Sequence, residues 1–88
     1  MTTWYAREVG RSLRPHSPRA LALGRTIRAL ADAVDLPGPM DFEASVRPSG
    51  RAWVRRVAER NLWVWYRVTA EELILVTVTT DPPVPIET

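Results

Sequence analysis

The fold is decided by residues 51–79, RAWVRRVAERNLWVWYRVTAEELILVTVT, in which apolar and polar side chains alternate over three short runs. Alternation with a period of two is typical of β-strands. Two polar stretches, at 58–61 and 70–71, separate the runs and fit tight turns. The stretch therefore predicts three consecutive antiparallel strands.

The two turns also predict which residues pair, because a tight turn fixes the register of its hairpin. For the first hairpin, centred on residues 59–60, the expected pairs are Val57 with Leu62, Arg55 with Val64 and Trp53 with Tyr66. For the second, centred on residues 70–71, they are Tyr66 with Leu75, Val64 with Thr77 and Leu62 with Thr79.

The alternation sorts the strands into two faces. One face is nearly all apolar and is expected to pack against a helix: Val54, Trp63, Trp65, Ile74, Val76 and Val78, with Arg56 and Arg67 at its margins. The other is mixed and is expected to be partly open: Arg51, Trp53, Arg55, Tyr66, Thr77 and Thr79, with Val64 and Leu75. A slip of one residue in either turn would exchange the two faces.

An amphipathic helix is predicted at residues 17–35, before the strands. Ser17 suits the N-cap and Pro18 the first helical position. The expected apolar stripe is Leu21, Leu23, Ile27, Leu30, Ala31 and Val34. The sequence LPGP at 36–39 ends the helix.

The remaining segments complete a single α+β domain, which we assign to residues 1–88. Residues 2–14 fit either a helix or a short edge strand, and residues 40–46 fit a short strand. The segment 80–88 is rich in proline and predicts an extended edge segment or a loose end.

The composition excludes several classes of protein. No apolar run approaches the roughly 20 residues that cross a membrane, and we expect neither a signal peptide nor a membrane partner. The chain has no cysteine, which fits a cytoplasmic location. His16 is its only histidine, so a transition-metal site or a Ser-His-Asp triad is not expected, and we predict no cofactor.

All twelve basic residues are arginine. Codon bias in a GC-rich genome is an ordinary explanation, but the chemical consequence remains. Each guanidinium is a permanently charged planar fork that suits phosphate or carboxylate, and none can act as a lysine-type base. Arginines interleaved with aromatic residues on the mixed face suit nucleic acid, since guanidinium groups bind phosphates and rings stack on bases. The alternative is that Trp53 and Tyr66 are cross-strand packing and the arginines are solvated.

The order of helix, proline-containing break and strands resembles the RelE/ParE superfamily of bacterial type II toxin–antitoxin toxins. The matching segments are Arg55-Arg56-Val57, Trp65-Tyr66-Arg67-Val68 and Leu73–Val78. The resemblance covers residues 17–79 and is best over 51–79. It implies an N-terminal helix or helical hairpin packed on a C-terminal three- to four-stranded antiparallel sheet. This chain departs from the family in its first strand, which we expect to be short or missing.

The resemblance also implies a cytoplasmic toxin that a cognate antitoxin protein holds inactive. RelE-like members cleave mRNA on the ribosome, and ParE-like members act on DNA gyrase. RelE-like nucleases usually combine lysines with arginines and carry a basic, aromatic C-terminal end. This chain has no lysine and continues from its last strand into Thr80-Asp81-Pro82-Pro83. A ParE-like or binding-only member therefore fits as well as an mRNA interferase, and enzymatic activity stays open.

In the nuclease version of this hypothesis, Arg51 and Arg55 would bind the scissile phosphate and stabilise its developing charge. Tyr66 would orient or protonate. The nucleic-acid-binding set would be Arg47, Trp53, Arg56, Arg60 and Arg67, with Trp53 stacking on a base. Two alternatives have no catalytic step: a module that binds a protein through its sheet face or edge, and an RNA-binding module.

Overall fold

The computed structural model describes residues 2–47 and 49–86, which form one five-stranded sheet and two helices. In chain order the elements are β1 (Thr2–Tyr5), α1 (Arg7–Leu13), α2 (Pro18–Asp32), β2 (Phe42–Ser45), β3 (Arg51–Arg56), β4 (Trp63–Val68) and β5 (Glu72–Thr79). The strand order across the sheet is β1-β5-β4-β3-β2. The α+β class and the N-terminal helices agree with the prediction.

The predicted number and direction of the strands were wrong. Strands β2 to β5 are antiparallel neighbours, but β1 pairs in parallel with β5, so the sheet is mixed. The first strand is short and lies at an edge. The chain between β1 and β5 runs through α1, α2 and the other three strands. A connection of this length allows the two strands to pair in parallel.

The first hairpin has the predicted register, with Trp53 opposite Tyr66 and Arg55 opposite Val64. The second hairpin has the predicted register only near the turn, where Tyr66 lies opposite Leu75. Beyond Tyr66 the register shifts by one residue, so that Val64 lies opposite Val78 instead of Thr77. The extra residue is Val76, and such a β-bulge changes which side chains of the strand share a face.

Helix α2 begins as predicted and ends early. The Ser17 side chain accepts a hydrogen bond from the Ala20 amide at 3.1 Å, with Pro18 at the first helical position. The last helical residue is Asp32, because Ala33 already has extended backbone angles. Leu23, Ile27 and Leu30 are buried, whereas Leu21 and Val34 of the predicted stripe are exposed. Val34 lies beyond the helix end, and Leu21 projects from a different side of it.

The helices cover the opposite sheet face to the one predicted. Their core consists of Val9, Leu23, Ile27 and Leu30 against Val57, Leu62, Val64, Tyr66, Leu73 and Leu75, with Trp53 and Val78 partly buried beside them. A second cluster, on the helix-free face, contains Ala44, Val54 and Trp63 with Phe42 and Trp65. Both faces are rich in apolar residues, so alternation alone did not decide between them. The helix-free face is the one that carries Arg56 and Arg67, whose charges need water.

The chain after β5 crosses the sheet to the edge strand β2. The amide of Ile86 donates a hydrogen bond to the carbonyl of Glu43 in β2, at 2.8 Å. The tail thus reaches the β2 edge through this hydrogen bond but forms no strand there, and residues 87 and 88 of the predicted tail lie outside the described residues. None of the described helices is long and apolar enough to cross a membrane.

Candidate functional site

Two of the three predicted catalytic residues lie together, but on the helix-covered face of the sheet and beside an unexpected carboxylate. Arg55 and Tyr66 project from β3 and β4 onto the covered face, and Asp41 immediately precedes β2. Arg55 makes a two-point contact with Asp41, with Nε to Oδ1 at 2.7 Å and Nη2 to Oδ2 at 2.9 Å. The hydroxyl of Tyr66 donates to the same Oδ2.

The backbone completes this cluster. The amide of Gly38 donates to Oδ2 of Asp41 at 2.9 Å. A side chain at residue 38 would collide with the guanidinium of Arg55 and would have to displace it from its contact with Asp41. The Asp41 side chain is fully buried, while 23% of the Arg55 side chain is exposed.

The pKa values follow from these contacts. Burial alone would raise the pKa of Asp41, but hydrogen bonds from Arg55, Tyr66 and Gly38 outweigh burial and lower it below its ordinary value. The pKa of Tyr66 is raised, first by burial and then by the hydrogen bond to Asp41. The pKa of Arg55 is raised, chiefly by its hydrogen bonds with Asp41. Asp41 and Arg55 therefore form an ion pair, and the neutral phenol of Tyr66 donates a hydrogen bond to the Asp41 carboxylate.

This arrangement limits what the cluster can do chemically. The charge of Arg55 is already compensated, so its attraction for a phosphate is reduced. The Tyr66 hydroxyl has its proton committed to Asp41 and no exposed surface. Releasing either group to a substrate would take one hydrogen-bond partner away from a buried carboxylate. The sequence prediction missed Asp41, although an arginine on a covered strand face is itself a signal that a carboxylate lies nearby.

The other predicted residues are spread over several places. Arg51 is exposed at the start of β3, and its carbonyl accepts a hydrogen bond from Nε of Arg67 at 3.1 Å. Trp53 is half-buried on the helix-covered face, which removes the stacking surface that we predicted for it. Arg60 lies in the turn before β4, where its carbonyl accepts from Nε of Arg56 at 3.0 Å.

The helix-free face combines aromatic rings with arginines. The guanidinium of Arg56 lies over the ring of Trp63, at 5.9 Å from its centroid, which is within cation–π range. Arg67 is exposed on the same side of β4 as Trp63 and Trp65. Of the described residues, only Arg55 and Asp41 form an ion pair within 4.0 Å. Arg56 and Arg67 therefore make no ion pair within 4.0 Å in the described part of the chain.

A shallow groove of about 450 Å³ opens on the helix-free side of β4 and β5. It is lined by Glu8, Ser45, Val46, Arg47, Trp65, Val76, Thr77 and Thr79. Trp65 is held in place by a hydrogen bond from its Nε1 to Oγ1 of Thr79 at 2.9 Å. Thr77 in turn donates to Glu8 of α1 at 3.2 Å. Arg47 is thus the one predicted residue that lines this groove.

Within residues 2–47 and 49–86, no group of three histidine, cysteine, aspartate or glutamate side chains is close enough to hold a metal ion. Comparison of the chain with protein-family models, with curated proteins and with solved structures finds no match.

Proposed function

We propose that the chain is the toxin component of a type II toxin–antitoxin module of the RelE/ParE kind, and that it acts by binding its target instead of cleaving RNA. One observation supports the binding mechanism: the side chains of Arg55 and Tyr66 are both held by Asp41 on the helix-covered face. The first half of the proposal is supported by the order of the elements, with two helices before an antiparallel meander. The partners are then a cognate antitoxin protein and a target such as DNA gyrase.

In this proposal the target contacts the helix-free face. Arg47, Arg56 and Arg67 are exposed there without carboxylate partners among the described residues, around the half-buried Trp65. A surface whose arginines make no ion pair and surround an aromatic ring suits an anionic partner, because charge steers the encounter and the ring provides contact area. No step of this function requires a proton donor or a covalent intermediate.

Induced expression in a bacterial host tests both halves of the proposal. We expect growth arrest with intact mRNA, and relief of the arrest by the triple change Arg47→Ala, Arg56→Ala and Arg67→Ala. The matched control removes three exposed arginines from α2: Arg19→Ala, Arg25→Ala and Arg28→Ala. This control loses the same charge from the other side of the sheet, so the arrest should persist.

Cleaved mRNA in the arrested cells would contradict the binding mechanism and restore the RelE-like nuclease. Normal growth with soluble, folded protein would contradict the toxin hypothesis as a whole. Arrest that both triple variants relieve equally would show that total charge matters and that the helix-free face is not the target surface.

A second candidate, a module that binds single-stranded RNA, is favoured by the position of the Arg56 guanidinium over the Trp63 ring, beside exposed Arg67. It predicts RNA binding without growth arrest. For three phosphate contacts, the logarithm of the binding constant should fall with the logarithm of the salt concentration with a slope of about −2. Fluorescence anisotropy of a labelled RNA oligonucleotide, measured for the same two triple variants, separates this candidate from the toxin.

A further inference from the structure

The two edges of the sheet are protected differently. At β2 the tail occupies the edge, through the hydrogen bond from Ile86 to Glu43. At β1 no described segment lies along the outer side. The sequence of β1, TTWY, contains no charge and no proline, and its pairing with β5 has no bulge. Strands of this kind are templates for another strand unless such features block them.

The backbone of β1 shows which groups are available at this edge. The amide of Thr2 donates to Glu71 and the amide of Ala6 donates to Leu75, both at 2.9 Å. Because alternate residues of a strand point their backbone groups to opposite sides, Thr3 and Tyr5 direct their N–H and C=O groups away from β5. Trp4 is 55% exposed and Tyr5 is 51% exposed, so large apolar surfaces flank these open groups.

We propose that a second copy of this chain pairs with β1, antiparallel and about a two-fold axis at Trp4. In this register Thr3 exchanges both backbone hydrogen bonds with the partner's Tyr5, and Tyr5 does the same with the partner's Thr3. The two copies of Trp4 lie directly opposite each other as a non-hydrogen-bonded pair, in which side chains approach most closely. Aromatic residues at such positions stabilise strand pairing.

The charges at the two ends of β1 are complementary under the same axis. Arg7 follows the strand at one end, and Glu71 and Glu72 lie beside Thr2 at the other. An antiparallel two-fold brings the Arg7 end of each copy to the acidic end of the other. None of these three residues has an ion-pair partner within the described part of the chain. This self-complementary pattern favours a second copy over an unrelated strand.

Sedimentation of the full chain over a range of concentrations tests the pairing. We expect a reversible dimer whose dissociation constant rises at least tenfold in Thr3→Pro, since proline removes an outward amide that the monomer does not use. The matched control is Glu43→Pro at the other edge, where residue 43 also points its backbone groups outward. This control should dimerise like the wild type. A wild type that stays monomeric up to millimolar concentration, or equal losses in both variants, would overturn the proposal.

Two further variants test the charges and the register without depending on proline. Arg7→Glu should weaken the dimer, and adding Glu71→Arg with Glu72→Arg should restore it. Because the chain has no cysteine, Trp4→Cys creates one thiol, opposite its own copy at a Cα separation of about 4.5 Å that a disulfide can span. Oxidation should link Trp4→Cys into a dimer and leave Tyr5→Cys unlinked. No rescue by the charge exchange, or no preference for residue 4 in the linking, would disprove this register.

Discussion

The carboxylate of Asp41 meets three donors, from Arg55, Tyr66 and the Gly38 amide, within a covered part of the protein. Removing one of these donors should destabilise the protein strongly, because a buried charge that loses its partner is unfavourable. The same contacts tie the loop after α2 to β3 and β4. Arg55 and Tyr66, which were predicted to be catalytic, therefore hold this loop against the two strands; we call this set of contacts the Asp41 clamp.

Replacing Asp41 by asparagine should lower the free energy of unfolding by about 2–3 kcal/mol, less than for a fully buried pair because part of Arg55 reaches water. Tyr66→Phe removes one hydrogen bond and should cost about 1 kcal/mol. Asp35→Asn, at an exposed carboxylate just after α2, is the control and should stay within about 0.5 kcal/mol. Urea unfolding followed by circular dichroism measures all three. Equal small effects at residues 35 and 41 would show that the clamp is not structural.

The stability of the protein should depend on pH through the ionisation of Asp41. Burial would raise the pKa of Asp41, but its hydrogen bonds hold the pKa below the ordinary value of 3.8. A group whose pKa is lower in the folded protein stabilises the fold above its unfolded pKa and loses this contribution as the pH falls through the folded pKa. The free energy of unfolding should therefore decrease below about pH 4, and Asp41→Asn should lose less than the wild type over that range. Parallel acid profiles for the two proteins would contradict the lowered pKa.

Among the elements, the hairpin between β3 and β4 was predicted well because its determinants are local. The turn residues and the alternating pattern fix its register without reference to the rest of the chain. The bulge at Val76 could not be predicted in this way, since it has no turn or glycine signal, and it depends on how β5 meets β4. The parallel pairing of β1 joins segments about 70 residues apart, for which a single sequence holds no local signal.

The reversal of the sheet faces has a related cause. Alternation separates the two sets of side chains but does not say which set the helices cover. One apolar face packs on α1 and α2, while the other buries Val54 and Trp63 without a helix. The face that carries Arg55 was predicted to be partly open because its side chains are mixed, and the partner of Arg55, Asp41, lies 14 residues earlier in the chain. Recognising the pair would have required the tertiary fold.

One turn retains backbone strain that a substitution should relieve. Glu59, between β3 and β4, has φ of 62°, a left-handed conformation that costs a non-glycine residue roughly 1 kcal/mol. Glu59→Gly should therefore raise the free energy of unfolding by about 0.5 kcal/mol, the relief of strain exceeding the added entropy of the unfolded chain. Glu59→Ala removes the same charge but keeps the β-carbon, so it should give no gain. Thermal unfolding of both variants decides whether the benefit comes from the backbone or from the charge.

Across the whole molecule, the fold closes one sheet edge with its own tail and leaves the other open. The tail reaches from the end of β5 to β2, which lies three strands away in the sheet. Three of its described residues are prolines, which have no amide to offer to a neighbouring strand. A segment of this composition covers an edge without extending the ladder for a further chain.

Hydrogen exchange within this tail measures whether the β2 edge is closed in solution. Val84 and Ile86 are the two amides between Pro82 and Ile86, and of these only Ile86 donates to the sheet. We expect the Ile86 amide to exchange at least about tenfold more slowly than that of Val84, because opening the hydrogen bond must precede exchange. Val84 serves as the internal control, since each of the two amides directly follows a proline in the same segment. Equal rates would mean that the tail leaves β2 in solution, and both edges of the sheet would then be open to another strand.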